Sequence, residues 1–127
     1  MLLYVDKQRN NDAICGYGIT SKLNQCFTKR NGRNIHSIFF DPTTELLYFS
    51  DTNEGSINWI SLTFESEIRE NLLIMMDSGI PTDIVVDSCR RYIYWINTNL
   101  TAPVVERMRM NGTEREVIIT SKSFSIN

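Results

Sequence analysis

The amino-acid sequence predicts an all-β fold built from repeated units. Residues 35–53 and 81–99 superimpose at a constant offset of 46 positions. Each segment holds short runs of β-prone residues that are separated by turn residues. A unit of four short strands that recurs about every 40 to 50 residues is typical of a β-propeller blade. We therefore predict an incomplete β-propeller.

The second full unit shows the predicted strands most clearly. Its four β-prone runs cover residues 83–86, 92–96, 104–110 and 116–120. In the third run, Val105, Arg107 and Arg109 interleave with the other residues, and this period near two favours a strand over a helix. The pair Asn111-Gly112 follows, and its chemistry suits the positive φ of a tight hairpin turn.

A truncated third copy opens the chain. The run Leu2-Leu-Tyr-Val-Asp6 is similar to residues 46–51 with one residue missing, and residues 14–19 and 25–28 are its later strands. The predicted units are a partial blade at residues 1–33 and full repeats at 34–79 and 80–122. Residues 123–127 are either the start of a missing blade or a disordered tail. The blades total about two and three-quarters, whereas propellers close with about 4 to 8.

Composition excludes two classes of partner. The 127 residues include 13 Lys and Arg against 15 Asp and Glu, which gives a formal net charge of −2. This balance lacks the clustered positive charge that binding to nucleic acid requires. The longest apolar run, residues 72–76, is far shorter than the roughly 18 residues of a spanning helix. We predict neither nucleic-acid binding nor direct membrane insertion by this segment.

Two tetrapeptides stand at the same position of the two full repeats. Tyr48-Phe-Ser-Asp51 and Tyr94-Trp-Ile-Asn97 resemble the Tyr-Trp-Thr-Asp (YWTD) repeat of low-density lipoprotein receptor class B propellers. Each follows an apolar run that ends in an aspartate, and the resemblance covers nearly the whole chain. It implies an incomplete six-bladed propeller of this type, which serves as an extracellular recognition platform with no catalytic residues and no cofactor.

The resemblance also implies structural roles for the motif residues. In the family the tyrosine and the large aromatic residue pack between blades, and the aspartate caps neighbouring backbone groups. Two positions depart from the pattern: Phe49 replaces the tryptophan, and Asn97 replaces the aspartate and lacks the charge that strengthens such hydrogen bonds. The residues expected to be architectural are Asp41, Tyr48, Phe49, Asp51, Asp87, Tyr94, Trp95 and Asn97.

An incomplete ring has consequences for the isolated chain. Its two ends are expected to expose blade faces with apolar residues such as Phe39, Phe40, Ile57 and Trp59, and such faces promote self-association. The simplest interpretation is an internal piece of a longer secreted or membrane-anchored protein. A short natural product that assembles two copies into a ring is the alternative.

The three cysteines leave the pairing open. Cys15 and Cys26 lie at matching points of adjacent predicted strands, where a disulfide forms only if their Cβ vectors agree. Cys89 is either a free thiol or the partner of a cysteine outside this chain. The spacing of Cys15, Cys26 and His36 does not match the paired short spacings of a zinc site.

Two sequons occur in predicted loops or turns, at Asn99 and Asn111. Both are possible glycosylation sites if the chain enters the secretory pathway.

The candidate chemistry favours recognition over catalysis. Asp41, Asp83 and Asp87 could be calcium ligands in a hydrolase of the lactonase type, but Asp41 and Asp87 recur at one repeat position, as structural residues do. His36 has no nearby Ser, Cys or paired carboxylate that would complete a nucleophile system. We predict a non-catalytic, extracellular, receptor-like module that binds a protein ligand or an adjacent EGF-like domain. A calcium-dependent hydrolase and a cytosolic scaffold propeller are the alternatives.

Overall fold

The computed structural model describes residues 1–8, 11–18, 22–27, 31–62, 70–98 and 102–120. These residues form an all-β structure with no helix, and thus with no helix that could span a membrane. The strands are β1 Leu2–Asp6, β2 Ala13–Tyr17, β3 Asn24–Cys26, β4 Ile35–Asp41, β5 Leu46–Asp51, β6 Ser56–Ser61, β7 Glu70–Met75, β8 Pro81–Asp87, β9 Tyr92–Asn97, β10 Val104–Arg109 and β11 Glu116–Ile119.

The strands form three antiparallel sheets in chain order. Blade 1 contains β1–β3, blade 2 contains β4–β7 and blade 3 contains β8–β11. Each sheet is a meander in which consecutive strands pair, and β4 and β8 are the first strands of the two four-stranded blades. This architecture confirms the prediction of an all-β, incomplete propeller. Residues 123–127 lie outside the described residues.

Blade 1 aligns with the other blades differently from the sequence prediction. Asp6 pairs with Ala13 as Asp51 pairs with Ser56, so no residue is missing between Tyr4 and Asp6. Counting back from the aspartate, Tyr4 takes the position of Phe49 rather than that of Tyr48. The similarity of the letters Leu-Leu-Tyr misled the alignment, because a one-residue shift moves every side chain of a strand to the other face.

The blades are held together by two apolar cores, one at each boundary between blades. Between blades 1 and 2, Ile14 packs with Phe49, and between blades 2 and 3, Tyr48 packs with Trp95. Tyr48 and Phe49 serve different cores because successive side chains of a strand point to opposite faces. Blade 2 therefore buries its two faces against different neighbours.

The predicted exposure of Ile57 and Trp59 was wrong. Ile57 is fully buried between blades 2 and 3, and Trp59 packs at the edge of the same core together with Phe39. Repeat counting does not show which face the next blade covers. Phe40, the fourth of these residues, is 37% exposed.

Hydrogen bonds join the first strands of blades 2 and 3. The backbone N–H of Ile84 donates to the Ser37 hydroxyl at 3.3 Å, and the Ser88 hydroxyl donates to Asp41 Oδ1 at 2.8 Å. These bonds fix β8 along β4 in one register. Directional polar contacts thus supplement the apolar core.

The structure predicts that Trp95→Ala destabilises the protein far more than His36→Ala. Trp95 is 1% exposed in the core between blades 2 and 3, and truncating a buried aromatic residue costs about 3 to 5 kcal/mol. The His36 side chain is 47% exposed, so its removal should cost under about 1 kcal/mol. Urea denaturation followed by circular dichroism measures both, and equal midpoints would contradict the assignment of Trp95 to the core.

Candidate functional site

Asp51 caps backbone groups next to the first strand of blade 2. Its Oδ1 accepts hydrogen bonds from the backbone N–H groups of Asn34, Asn53 and Glu54 at 3.0 to 3.3 Å. Its Oδ2 accepts one from Arg33 Nη1 at 2.8 Å. The carboxylate therefore ties the residue before β4 to the turn after β5. Backbone and guanidinium donors engage both of its oxygens.

Arg33 lies buried among three carboxylates. Its guanidinium donates to Asp51, to Glu54 and to Glu70, and its Cζ lies 5.2 Å from the centroid of the Phe49 ring. Burial lowers the pKa of Arg33, but the hydrogen bonds to Asp51 and Glu70 outweigh it and raise the pKa above its ordinary value. The Arg33 guanidinium therefore stays charged, and it connects the residues before β4 with β5 and β7.

Blade 3 lacks the counterpart of Arg33. The equivalent position is Gly79 with φ +83°, where a Cβ atom would lie 1.8 Å from Asn97 Oδ1. Asn97 Oδ1 instead accepts from the Ile80 N–H at 3.1 Å, which is the capping role of Asp51. Asn97 Nδ2 donates to Glu106 Oε2 at 2.9 Å. The neutral amide thus replaces the aspartate and also bridges to a buried carboxylate.

Arg115 supplies the cation of blade 3 from another strand. Its Nε donates to Glu106 Oε1 at 3.0 Å, and its Cζ lies 5.8 Å from the Trp95 ring centroid. Trp95 Nε1 also donates to Glu106, at 3.2 Å. Both blades therefore place a guanidinium and a carboxylate beside the large aromatic of the motif. Sequence analysis missed this pattern because the partners come from different repeat positions.

Asp41 and Asp87 are engaged by their own turns. Asp41 is fully buried and accepts from the Thr43 N–H, the Thr44 hydroxyl and the Ser88 hydroxyl. Burial raises the pKa of Asp41, but these donors hold it below its ordinary range. Asp87 accepts from the backbone N–H of Arg90 at 3.2 Å. Both aspartates close the turn between the first two strands of a blade.

His36 and Asp83 form a pair that the sequence did not indicate. His36 Nε2 lies 3.2 Å from Asp83 Oδ1, between β4 and β8, and both side chains are exposed. Among the described residues no group of three or more His, Cys, Asp or Glu side chains is arranged to hold a metal ion.

The cysteines take one of the pairings left open by the sequence. Cys15 and Cys26 are direct cross-strand partners on β2 and β3 and form a disulfide. Cys89 is an exposed free cysteine in the turn after β8. The disulfide links the third and fourth strand positions of blade 1. The Glu106–Arg115 ion pair makes the corresponding link in blade 3.

The outward face of blade 3 carries aromatic and cationic side chains. Arg107 and Arg109 each place Cζ 4.4 Å from the Tyr92 ring centroid, and the rings of Tyr92 and Tyr94 lie 6.2 Å apart. Tyr94, a motif residue, is only partly buried, unlike its counterpart Tyr48. We call Tyr92, Tyr94, Arg107 and Arg109 the Tyr–Arg face.

The same face of blade 2 has a different composition. Leu46, Trp59 and Ser61 occupy the positions of Tyr92, Arg107 and Arg109, and Leu46 and Trp59 pack against blade 3. The Tyr–Arg face is thus unlike the contact surface that one blade offers to the next in this chain. The alternation of Arg107 and Arg109 on β10 was the available sequence signal.

The sequon at Asn111 lies where the sequence placed it. Asn111 is exposed in the turn between β10 and β11, and Gly112 there has φ +89°. Asn111 Oδ1 accepts from the backbone N–H and the hydroxyl of Thr113 at 3.1 and 2.6 Å. The sequon at Asn99 lies outside the described residues.

Arg33→Met is expected to destabilise the chain by about 3 to 5 kcal/mol, because it leaves the buried Asp51 and the partly buried Glu54 and Glu70 without their cation. The matched control is Arg90→Met, because the Arg90 side chain is 79% exposed and its ion pair with Asp87 lies at the surface, so the cost should stay below about 1 kcal/mol. Guanidinium chloride midpoints for the two variants provide the test. An Arg33→Met variant with an unchanged midpoint would show that the cluster does not stabilise the fold.

Asn111 is expected to be glycosylated when the chain is expressed with a secretion signal in insect cells, because its side chain is exposed in a turn. Deglycosylation should increase the gel mobility of the parent chain, and this increase should be smaller for the Asn111→Gln variant. The conservative control Thr113→Ser keeps the sequon intact. Identical mobility of the parent and Asn111→Gln would contradict the prediction.

No family model matches the chain. It is 31% identical over 99 residues to protein cueball of Drosophila yakuba, an alignment that covers 78% of this chain and 15% of that protein. It is 28% identical over 128 residues to protein cueball of Drosophila persimilis, covering 94% of this chain and 20% of that protein. The chain therefore spans between about a seventh and a fifth of the length of these relatives.

Solved structures share the fold at low sequence identity. A chain of a nidogen/laminin complex has a TM-score of 0.50 at 18% identity, covering 93% of this chain and 60% of that one. A putative TolB from Agrobacterium tumefaciens gives 0.69 at 12% identity, with coverage of 93% and 46%. A gluconolactonase from Xanthomonas campestris gives 0.68 at 16%, with coverage of 91% and 37%. The chain is thus similar to part of the Drosophila cueball proteins and has the fold of an incomplete propeller.

Proposed function

We propose that this segment is a non-catalytic protein-recognition module in the extracellular part of a receptor-like protein of the cueball type, with a YWTD-type propeller. The observation that carries the proposal is the Tyr–Arg face, which is unlike the surface between blades. Similarity to the cueball proteins and to the fold of the nidogen/laminin chain supports it. The partner is a protein ligand or an adjacent EGF-like domain.

The composition of the Tyr–Arg face suits a polypeptide partner. Tyrosine and arginine are enriched at the centres of protein interfaces, because each offers a large contact area together with polar groups that a partner can satisfy. Stacking on Tyr92 holds the guanidinium groups of Arg107 and Arg109 in place. The same guanidinium groups can donate paired hydrogen bonds to carboxylates of the partner.

A calcium-dependent hydrolase is the less favoured function. Asp41 and Asp87, the repeated candidates for metal ligands, already accept hydrogen bonds from their own turns. Fold similarity to a gluconolactonase at 16% identity does not transfer an activity, because function depends on the site rather than on the fold.

An extracellular location fits the disulfide better than a cytosolic scaffold does. The Cys15–Cys26 bond requires an oxidising compartment to persist. When the module is isolated, its uncovered end faces favour self-association.

Site-specific cross-linking tests the proposal. A photoreactive phenylalanine analogue replaces Tyr94 or, as the control, the exposed Leu23 of blade 1 in the chain secreted from insect cells. We expect a discrete protein adduct from position 94 and none from position 23. Arg107→Glu should abolish the adduct, whereas Lys22→Glu, which makes the same charge change on blade 1, should not.

The contrary outcomes are equally specific. Adducts of equal yield from positions 94 and 23 would show that the Tyr–Arg face has no selective partner. Calcium-dependent lactone hydrolysis that disappears in Asp41→Asn would favour the hydrolase instead.

A further inference from the structure

A cavity opens on the turn side of blade 3. Its volume is about 430 Å³, which is in the range of sites for small molecules. The residues that line it come from the turn after β8, the end of β10 and the turn before β11: Arg91, Arg109, Met110, Asn111, Thr113 and Glu114. The cavity is therefore built by one blade, and its wall includes the asparagine and the threonine of a sequon.

This side of a blade stays open beside a neighbouring blade. In blade 2 the Leu62 N–H donates to the Glu45 carbonyl at 3.1 Å. In blade 3 the Met110 N–H donates to the Arg91 carbonyl at 3.0 Å, so Glu45 is the counterpart of Arg91. Glu45 is exposed even though blade 3 packs against blade 2. Packing between blades therefore leaves this turn position accessible to solvent.

Backbone hydrogen bonds and turn geometry fix the shape of the cavity. The Arg109 N–H donates to the Thr113 carbonyl at 2.8 Å, which closes the turn between β10 and β11. Arg91 and Glu114 have φ values of 63° and 58°, in the left-handed region that a residue keeps only where the surrounding structure determines it. The walls are therefore formed in advance, and a bound group does not have to order them.

The Asn111 side chain is held with its amide nitrogen available. Its Oδ1 accepts hydrogen bonds from the backbone N–H and the hydroxyl of Thr113. Its Nδ2, the atom to which an N-linked glycan is attached, donates to no described residue, and the side chain is exposed. Because Asn111 itself lines the cavity, a sugar that is attached to Nδ2 begins at the edge of the cavity.

The walls offer the contacts that suit an N-acetylglucosamine. Arg91 is exposed and forms no ion pair with another described residue, so its guanidinium can donate to the acetamide carbonyl or to a hydroxyl of the sugar. Glu114 Oε2 accepts from Arg109 at 2.8 Å, and Oε1 can accept from a sugar hydroxyl. Met110 is partly buried and provides an apolar surface for the acetamide methyl group.

We propose that this cavity binds the first N-acetylglucosamine of a glycan on Asn111, which packs against Arg91, Met110 and Glu114 instead of extending into solvent. Attachment forms a bond between Nδ2 and C1 of the sugar. Nδ2 loses a proton, and a lipid-linked diphosphate leaves from the oligosaccharide donor of the secretory pathway. Covalent attachment gives the sugar a high effective concentration at the cavity, so that contacts too weak to hold a free sugar are formed.

This binding site goes beyond the function proposed above. It requires that the chain enters the secretory pathway, but it does not require a protein ligand. Arg109 belongs both to the cavity and to the Tyr–Arg face, so the sugar lies beside that face.

Enzymatic release of the glycan from native protein tests the proposal. The full chain is secreted from human cells with Asn99→Gln, which leaves Asn111 as the remaining Asn-X-Ser/Thr sequon. A peptide N-glycosidase, which cleaves at Nδ2, must first lift the sugar out of the cavity. We expect release from Arg91→Gln to be faster than from the parent by at least about tenfold, the usual value of a lost hydrogen bond to a charged group. The matched control is Arg90→Gln, which removes a guanidinium next to the cavity and should leave the rate unchanged.

Hydrogen exchange tests which sugar makes the contact. The glycan is kept in its high-mannose form with an inhibitor of mannose trimming, and an endoglycosidase then reduces it to a single N-acetylglucosamine. Backbone amides of residues 109–115 should exchange equally slowly in the intact and the trimmed protein, and faster in Asn111→Gln. Circular dichroism verifies that every variant is folded.

Three results would overturn the proposal. The first is a chain that is secreted without a sugar on Asn111. The second is an equal rate of release from the parent, Arg91→Gln and Arg90→Gln in folded protein. The third is slow exchange that requires the whole glycan and is lost when one sugar remains, because the contact would then lie outside the cavity. The function proposed above is tested by a protein adduct at position 94, so either idea can fail while the other stands.

Discussion

Each blade of this protein has two faces to bury and only neighbouring blades to bury them against. Tyr48 and Phe49 are adjacent on β5, yet they pack into different cores because the side chains of a strand alternate between its faces. A blade is therefore stabilised by its contacts with neighbouring blades, as expected for a repeat protein in which each unit contacts only its neighbours. The hydrogen bond from Ile84 to Ser37 and the bond from Ser88 to Asp41 follow from this packing, because they fix the first strands of adjacent blades in register.

The two full blades place a guanidinium and a carboxylate beside the large aromatic residue of the motif, but they use different residues. Blade 2 uses Arg33 with Asp51 beside Phe49, and blade 3 uses Arg115 with Glu106 beside Trp95. The residues that differ between the blades fit one another. Gly79 leaves space for Asn97, whose neutral amide caps the first strand of blade 3 and also donates to Glu106. A buried guanidinium is tolerated only where carboxylates pair with it, so a change at one of these positions constrains the others. Substitutions in the motif are therefore compensated nearby.

Blades 1 and 3 differ in the chemistry of their surfaces. At blade 1, β1 pairs only with β2 among the described residues, and the ring of Phe40 is 37% exposed. At blade 3, guanidinium groups stacked on Tyr92 suit contacts between side chains, with charged groups at their periphery. On the function that we propose, recognition depends on Arg107 and Arg109, which break the repeat.

The sequence alone determined the all-β class, the repeat, the positions of most strands and the turn at Asn111-Gly112, because these depend on local periodicity and turn chemistry. It did not determine the alignment of β1, the burial of Ile57 or the choice of Cys15 and Cys26 as partners. A period of two shows that residues alternate between faces but not which neighbour covers each face. The pairing of Arg33 with Glu70 and of His36 with Asp83 joins residues far apart in the chain. Such contacts exist only once blades are assembled, so the tertiary structure alone decided them.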